Sequence, residues 1–368
     1  MPGSLDRACA AESKNGRCVL HGDLKTKTMH SFFWKFMERG GYHFGQLVVQ
    51  VVLARLLSPS DSGMLAIILV FINIGSVLVQ SGLNTALVQA PHINSKDCST
   101  VFWFSLALAG LLYALLYVGA PIAALWYGLP QLTSALRVLG LVLFIGAFNS
   151  IQIALASRNL DFRPIFESTS AAVALSGLTG IGMAYLGYGY WALIGQQLVY
   201  GTIACLVLSF KFPWIPRLEF DLARGKQFYR YGWKLASSSL LDTAFSGLYD
   251  LVVGKVFSRA TLGYFAQGEK FPATVNALFD GSIQSVMLST MSKLQDDTKL
   301  AKQALRRSMS LSTFVVVPVM AVLLLTAPSL VVFVLSAKWV DSVPFLQAFC
   351  VLYAVQPIHV ADGPILTT

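Results

Sequence analysis

Apolar runs long enough to cross a lipid bilayer succeed one another from residue 31 to residue 366, with only short polar breaks between them. A helix needs about 20 such residues to span the hydrocarbon core. Ten stretches qualify, near 31–57, 63–89, 99–126, 132–157, 166–186, 190–210, 230–257, 262–290, 309–335 and 344–366. Charged residues make up 12% of the 368 and hydrophobic ones 55%. A soluble domain carries about 25% charge, so this chain cannot coat a water-facing surface, and its outside must meet lipid. The fold class expected is all-α, a polytopic membrane protein of about ten spans. The first, seventh, eighth and tenth spans are weakly apolar and hold Arg39, Asp242, Glu269, Lys270 and Asp362.

The net charge of +9 would suggest nucleic acid in a soluble protein. In a membrane protein its distribution matters more. With the N-terminus inside, the outer side receives Arg55, Arg137, Lys255, Arg259 and Lys338. Lys270 falls within a span, and every other Lys and Arg falls on the N-terminal tail, an inner connection or the inner entrance of a span. This asymmetry predicts a multi-pass membrane protein with a cytoplasmic N-terminus, and it leaves no basic face for nucleic acid. Residues 1–30 read as a polar, disordered cytoplasmic tail without the apolar core of a signal peptide. The five cysteines are odd in number and lack a C-x-x-C pair, so free thiols are expected.

The chain repeats itself. ARLLSPSDSGMLA (54–66) aligns with GKVFSRATLGYFA (254–266), placing Arg55 on Lys255, Ser58 on Ser258, Gly63 on Gly263 and Ala66 on Ala266. Upstream, Trp34-Lys35 pairs with Trp233-Lys234. Six spans separate the copies, so both have the same orientation, as in parallel-repeat transporters. The domains expected are a first transmembrane lobe over 31–213, a cytoplasmic linker over 214–228 and a second lobe over 229–368. Two six-helix lobes would need twelve spans, so the second lobe is expected to be incomplete.

Charged groups inside a membrane cost about 2.5–3.5 kcal/mol on insertion scales, so they turn toward protein or water. In the first span Arg39, His43, Gln46 and Gln50 share a stripe roughly 60° wide at about 100° per residue. The seventh span repeats this with Ser238, Asp242, Ser246 and Tyr249, and with Lys234 and Asp250 at its edges. In the eighth, Glu269, Asn276 and Asp280 form a stripe. Glu269 and Lys270 lie near the outer interface, where they could also snorkel. The functional reading is a cavity between lobes. Arg39, His43, Gln46, Gln50, Lys234, Ser238 and Tyr249 would bind a polar or anionic head group. Asp242, Asp250, Glu269 or Asp280 would bind a coupling proton or sodium ion. The alternative for each is a hydrogen bond between helices.

No cofactor motif is legible. SGLTGIGMAYLG (176–187) follows no strand and reads as close helix packing. His92 and Asp97 match an acyltransferase spacing without supporting elements, and Asp296-Asp297 reads as a solvated turn.

The most specific stretch is ASRNLDFRPIFESTSAAVALSGLTGIGMAYLGYGYWALIGQQLV (156–199). Through Arg158, Leu160, Phe162, Arg163, Gly187, Gly189, Trp191, Ala192, Leu193 and Gln197 it resembles the Wzx-like oligosaccharide/polysaccharide flippases. These belong to the multidrug/oligosaccharidyl-lipid/polysaccharide exporter superfamily. ARLLSPSDSG (54–63), SGLNTALVQ (81–89), LGYFAQGEKFP (262–272) and LSAKW (335–339) are similar too. The resemblance implies two lobes in a V and transport, not enzymatic catalysis. It implies flipping of an undecaprenyl-phosphate-linked oligosaccharide, a precursor of lipopolysaccharide, O-antigen or exopolysaccharide, by ion-coupled alternating access. The partners implied are that lipid-linked substrate, membrane lipids, a coupling proton or sodium ion and a polysaccharide polymerase. Two rivals remain: a drug/cation antiporter of the same superfamily, and a membrane enzyme of polysaccharide assembly.

Overall fold

A computed structural model describes residues 41–89, 94–158, 162–212, 214, 216–217, 222–293 and 298–360. Within them the chain is helical: α1 (41–56), α2 (Pro59–Gln89), α3 (Ser95–Tyr127), α4 (Gln131–Leu139), α5 (Val142–Arg158), α6 (Arg163–Tyr185), α7 (Tyr190–Lys211), α8 (Leu222–Val256), α9 (Arg259–Lys293), α10 (Thr298–Leu330) and α11 (Val343–Val360). No strand occurs among the described residues. Five segments are long and apolar enough to cross a membrane: Pro59–Gln80, Lys96–Tyr127, Gln131–Arg158, Tyr190–Lys211 and Thr313–Leu335. Helices α6, α8 and α9, of 23, 35 and 35 residues, have the length but interleave polar with apolar side chains. Leu125, Phe210 and Phe333 are more than four-fifths exposed, which fits a surface facing lipid and not water.

Local chemistry sets the breaks. Ser58 and Asp61 exchange hydrogen bonds before α2, the Ser58 N–H and Oγ both reaching the Asp61 carboxylate, at 3.1 and 2.6 Å. Asn94 and Asp97 form a capping box on α3, the Asn94 N–H donating to Asp97 Oδ2 at 2.9 Å. Asp97 is buried as a structural cap, while His92 lies outside the described residues, as do Asp296 and Asp297. The span expected over 132–157 is divided, with α4 and α5 meeting at Gly140. Helix α10 carries Pro328, which cannot donate to the Leu324 carbonyl; the Gln347 side chain donates to it instead, at 3.4 Å. The chain then widens into a π turn (331–335) and ends at Ser336, whose φ of 107° is unusual for a residue with a side chain. A 3₁₀ segment, Ala337–Ser342, leads into α11.

The first half (41–217) and second half (222–360) meet at the end of the bundle that carries residues 57–59, 127–131, 256–259 and 335–343. Two apolar clusters cross there. One joins Met64, Ile67 and Ile68 of α2 and Leu132 and Leu136 of α4 to Leu262 of α9. The other joins Ala54 of α1 to Val316, Met320, Val331, Trp339 and Leu346. At the crossing of α2 and α9 the two aligned glycines face each other's backbone. A Cβ on Gly63 would overlap the Arg259 carbonyl oxygen, and one on Gly263 would overlap that of Pro59. Since Pro59 and Arg259 are themselves aligned, the contact is reciprocal, as expected of two copies related by a twofold axis. At the opposite end the clusters stay within the first half: Leu87, Cys98, Phe102 and Ile151, with Trp214 against them, and Ala156, Phe162, Ile165 and Leu208. Gly177 and Gly180 pack α6 against Val49 and Gln196. The described cysteines, Cys98, Cys205 and Cys350, are thiols outside any disulfide.

Candidate functional site

The polar side chains singled out in the sequence fall into three groups. The first is a small, partly open cavity between α1 and α9, lined by Leu47, Gln50, Val51, Gln267, Lys270, Phe271 and Thr274. Gln50 on α1 and Lys270 on α9 thus share one space. Gln267, one turn before Lys270, is 3% exposed. Gln46 and His43, further along the same face of α1, are half-buried. The His43 ring meets Tyr42 edge-on at 5.2 Å, and Tyr42 in turn meets Tyr200 at 5.9 Å. Arg39 lies outside the described residues.

The second group is the exposed face of α8. Lys234, Ser238, Asp242, Ser246 and Tyr249 are exposed, and Asp250 is half-buried. Ser246 Oγ donates back to the Asp242 carbonyl at 2.9 Å, and the Tyr249 ring packs edge-on against Phe245 at 5.8 Å. The third group is the seam of α9 and α11. Glu269 accepts a hydrogen bond from the Tyr353 hydroxyl at 2.9 Å. Asn276 donates from Nδ2 to Gln356 Oε1 at 3.2 Å. Asp250 on α8 lies within electrostatic reach of Glu269, so the second and third groups adjoin. The Asp280 side chain lies outside the described ones.

The sequence reading missed Gln267, Lys270 and Thr274. Their signal was present: positions i, i+3 and i+7 share a helix face. Anchoring the α9 wheel on Glu269 selected the neighbouring face, which turns toward α11. Lys270, which the sequence allowed to snorkel to the interface, lines the cavity instead.

Chemically, an ammonium beside two amides and a hydroxyl suits an anion with several acceptor oxygens, such as a phosphate ester.

The chain superposes on the lipid II flippase MurJ in its inward closed conformation with a TM-score of 0.71, at 15% identity, over 90% of this chain and 74% of that one. It superposes on an inward-facing multidrug resistance MATE family transporter of the MOP superfamily with a TM-score of 0.63, at 14% identity, over 89% and 82%. These likenesses establish the fold, a polytopic helical membrane architecture shared with both.

Residues 52–344 match the family described as Polysaccharide biosynthesis protein, and the chain belongs to that family. It is 23% identical over 313 residues to the succinoglycan biosynthesis transport protein ExoT of Rhizobium meliloti (strain 1021), covering 85% of this chain and 63% of ExoT. It is 22% identical over 323 residues to the lipopolysaccharide biosynthesis protein WzxC of Escherichia coli (strain K12), covering 87% and 65%. With the teichuronic acid biosynthesis protein TuaB of Bacillus subtilis (strain 168) it shares 20% over 292 residues, covering 79% and 60%. The chain thus spans less than two thirds of the length of these relatives.

Proposed function

We propose that this protein carries a lipid-linked oligosaccharide across the bacterial inner membrane, its two lobes, 31–213 and 229–368, alternating access to a cavity between them. Lys270 carries the reading. An ammonium inside a membrane bundle costs several kcal/mol unless a partner offsets it, and Gln50, Gln267 and Thr274 supply dipoles but no counter-charge. A phosphate or pyrophosphate linking lipid to sugar would supply that charge. Arg39, which precedes α1 in the sequence, and Lys234, in the N-terminal half of α8, would attract the same group as it enters. Asp242, Asp250, Glu269 and Asp280 are the groups offered to a coupling proton or sodium ion. The end rich in Lys and Arg faces the cytoplasm, where glycosyl transfer builds the substrate, and a polymerase partner would receive it on the outer side after flipping.

The test is export of surface polysaccharide in a strain whose own copy is deleted. Lys270→Gln should lower export about tenfold or more, the scale on which losing a buried charged contact acts, at unchanged protein level in the membrane. Lys270→Arg should restore much of it. Full export by Lys270→Gln would sink the reading.

A further inference from the structure

The end at which the two halves meet is held by side chains that complete each other's helix termini. The last carbonyls of a helix have no partner within it, and they attract cations. In α3 the C-terminal turn uses the Ala124 and Leu125 carbonyls for Leu129 and Gly128. The Trp126 carbonyl is left over, and Lys255 of the second half donates to it, its ammonium 5.7 Å from the Trp126 ring centroid. At the other terminus Ser336 takes the Val331 carbonyl. That leaves Phe333 and Val334, and both accept from Arg55 of the first half, Val334 from Nε at 2.7 Å. Arg55 and Lys255 are the aligned cations of the repeat, so each half caps the other with the same residue position.

The two sides differ in what returns the contact. The Arg55 carbonyl would normally accept from residue 59, but Pro59 has no N–H. Lys338 fills the place at 2.8 Å and also reaches the Leu57 carbonyl at 2.6 Å. The Ser58 N–H is diverted to Asp61, so the Ala54 carbonyl takes the indole N–H of Trp339, at 2.8 Å. Burial pushes the Lys338 pKa down and nearby Asp61 opposes this, so the ammonium is partly withdrawn from water. The second copy has Arg259 where the first has Pro59, and Thr261 where it has Asp61. No carbonyl is freed there by a proline, and the return contact is one hydroxyl, Tyr127 to the Leu251 carbonyl at 3.1 Å.

We propose that these contacts form a reciprocal but unequal latch, whose α1 side (Arg55, Lys338 and Trp339) carries most of the closure while the α8 side (Lys255 and Tyr127) aligns it. The inequality lies in the return contacts: Lys338 and Trp339 give three hydrogen bonds to carbonyls of the first half, while Tyr127 gives one to the second. The latch rests on the proposed function only for its assignment to the outer face of the membrane.

The test is a cysteine reporter at Ala66, which is 9% exposed and one turn beyond the Gly63 crossing. It is read with a membrane-impermeant maleimide in intact cells and in inside-out vesicles, against the background of the chain without the reporter. Arg55→Gln with Lys338→Gln should raise labelling about fivefold or more, and Lys255→Gln about twofold or less. A cysteine at Ala172, fully buried within the first half, should stay unlabelled in all of them. If the double variant fails to accumulate, Lys338→Gln alone is read the same way and should exceed Lys255→Gln. Unchanged labelling in both Lys338 variants, or a larger rise with Lys255→Gln, would overturn the proposal. A rise seen only in inside-out vesicles keeps the latch and reverses the orientation.

Discussion

The two ends of this bundle are joined by different chemistry. At the latched end, helices from opposite halves exchange hydrogen bonds through backbone carbonyls, and two apolar clusters run across the boundary. At the basic end, the described polar links stay within the first half. Trp103 Nε1 donates to the Arg217 carbonyl at 3.0 Å, fastening the start of the inter-half connection to α3. Glu167 binds Arg163 at 2.9 Å and Lys211 at 2.8 Å. The second half instead shows exposed side chains toward that end, among them Lys234, Ser238 and Asp242. On the proposed function, a bundle tied across one end and, among the described residues, within one half at the other would pivot about the tied end.

The largest effect is expected from Gly63→Ala. The added methyl would overlap the Arg259 carbonyl oxygen, which is backbone and cannot swing aside. Overpacking costs about 1–3 kcal/mol even where side chains can adjust, so the closed population should fall by about tenfold or more. Labelling of the Ala66→Cys reporter measures it. The reciprocal Gly263→Ala meets the Pro59 carbonyl and should match. Unequal behaviour of the pair would show that the aligned glycines are not equivalent across the repeat.

Trp339→Phe comes next. Trp339 is fully buried, and its indole serves the Ala54 carbonyl. Phenylalanine keeps much of the ring volume and loses the donor, leaving a buried acceptor unpaired at about 1–3 kcal/mol. The thermal midpoint of the purified protein in detergent should fall by a few degrees, with Tyr264, whose ring meets Trp339 edge-on at 6.0 Å, left in place. An unchanged midpoint would mean that water reaches Ala54 and that the latched end is wetter than drawn here.

How much of this could be read in advance differs between scaffold and site. The repeat gave the alignment of Arg55 with Lys255 and of Gly63 with Gly263 because those positions are fixed by helix-terminal backbone chemistry, which leaves a local trace. The same cations entered the sequence reading as repeat positions and topology signals, not as caps. Their partners are carbonyls of residues 126, 333 and 334, and any residue type supplies a carbonyl. On α1 the helical wheel put Arg39, His43, Gln46 and Gln50 on one face, and of these Gln50 lines the cavity. On α9 the wheel was anchored on Glu269, and a 35-residue helix meets α1 on one side and α11 on another. Periodicity identifies a polar face without saying which neighbour receives it.

The smallest effect is expected at the basic end, from Glu167→Gln. Glu167 holds two cations, yet its side chain is 31% exposed, and those of Arg163 and Lys211 are 62% and 50% exposed. Water competes for all three groups, and holding two long side chains in one geometry costs entropy. Exposed pairs of this kind contribute about 0–1 kcal/mol, and glutamine keeps one acceptor for either partner. The thermal midpoint should therefore move by about a degree or two, and the small difference should vanish in high salt, where exposed charges are screened. The salt arm separates this from the Trp339 effect, which involves no net charge on either partner and should persist. A loss as large as that of Trp339→Phe, or one that survives high salt, would mean that the basic end is also held by a desolvated contact, and the molecule would then have two fastened ends and no free one to open.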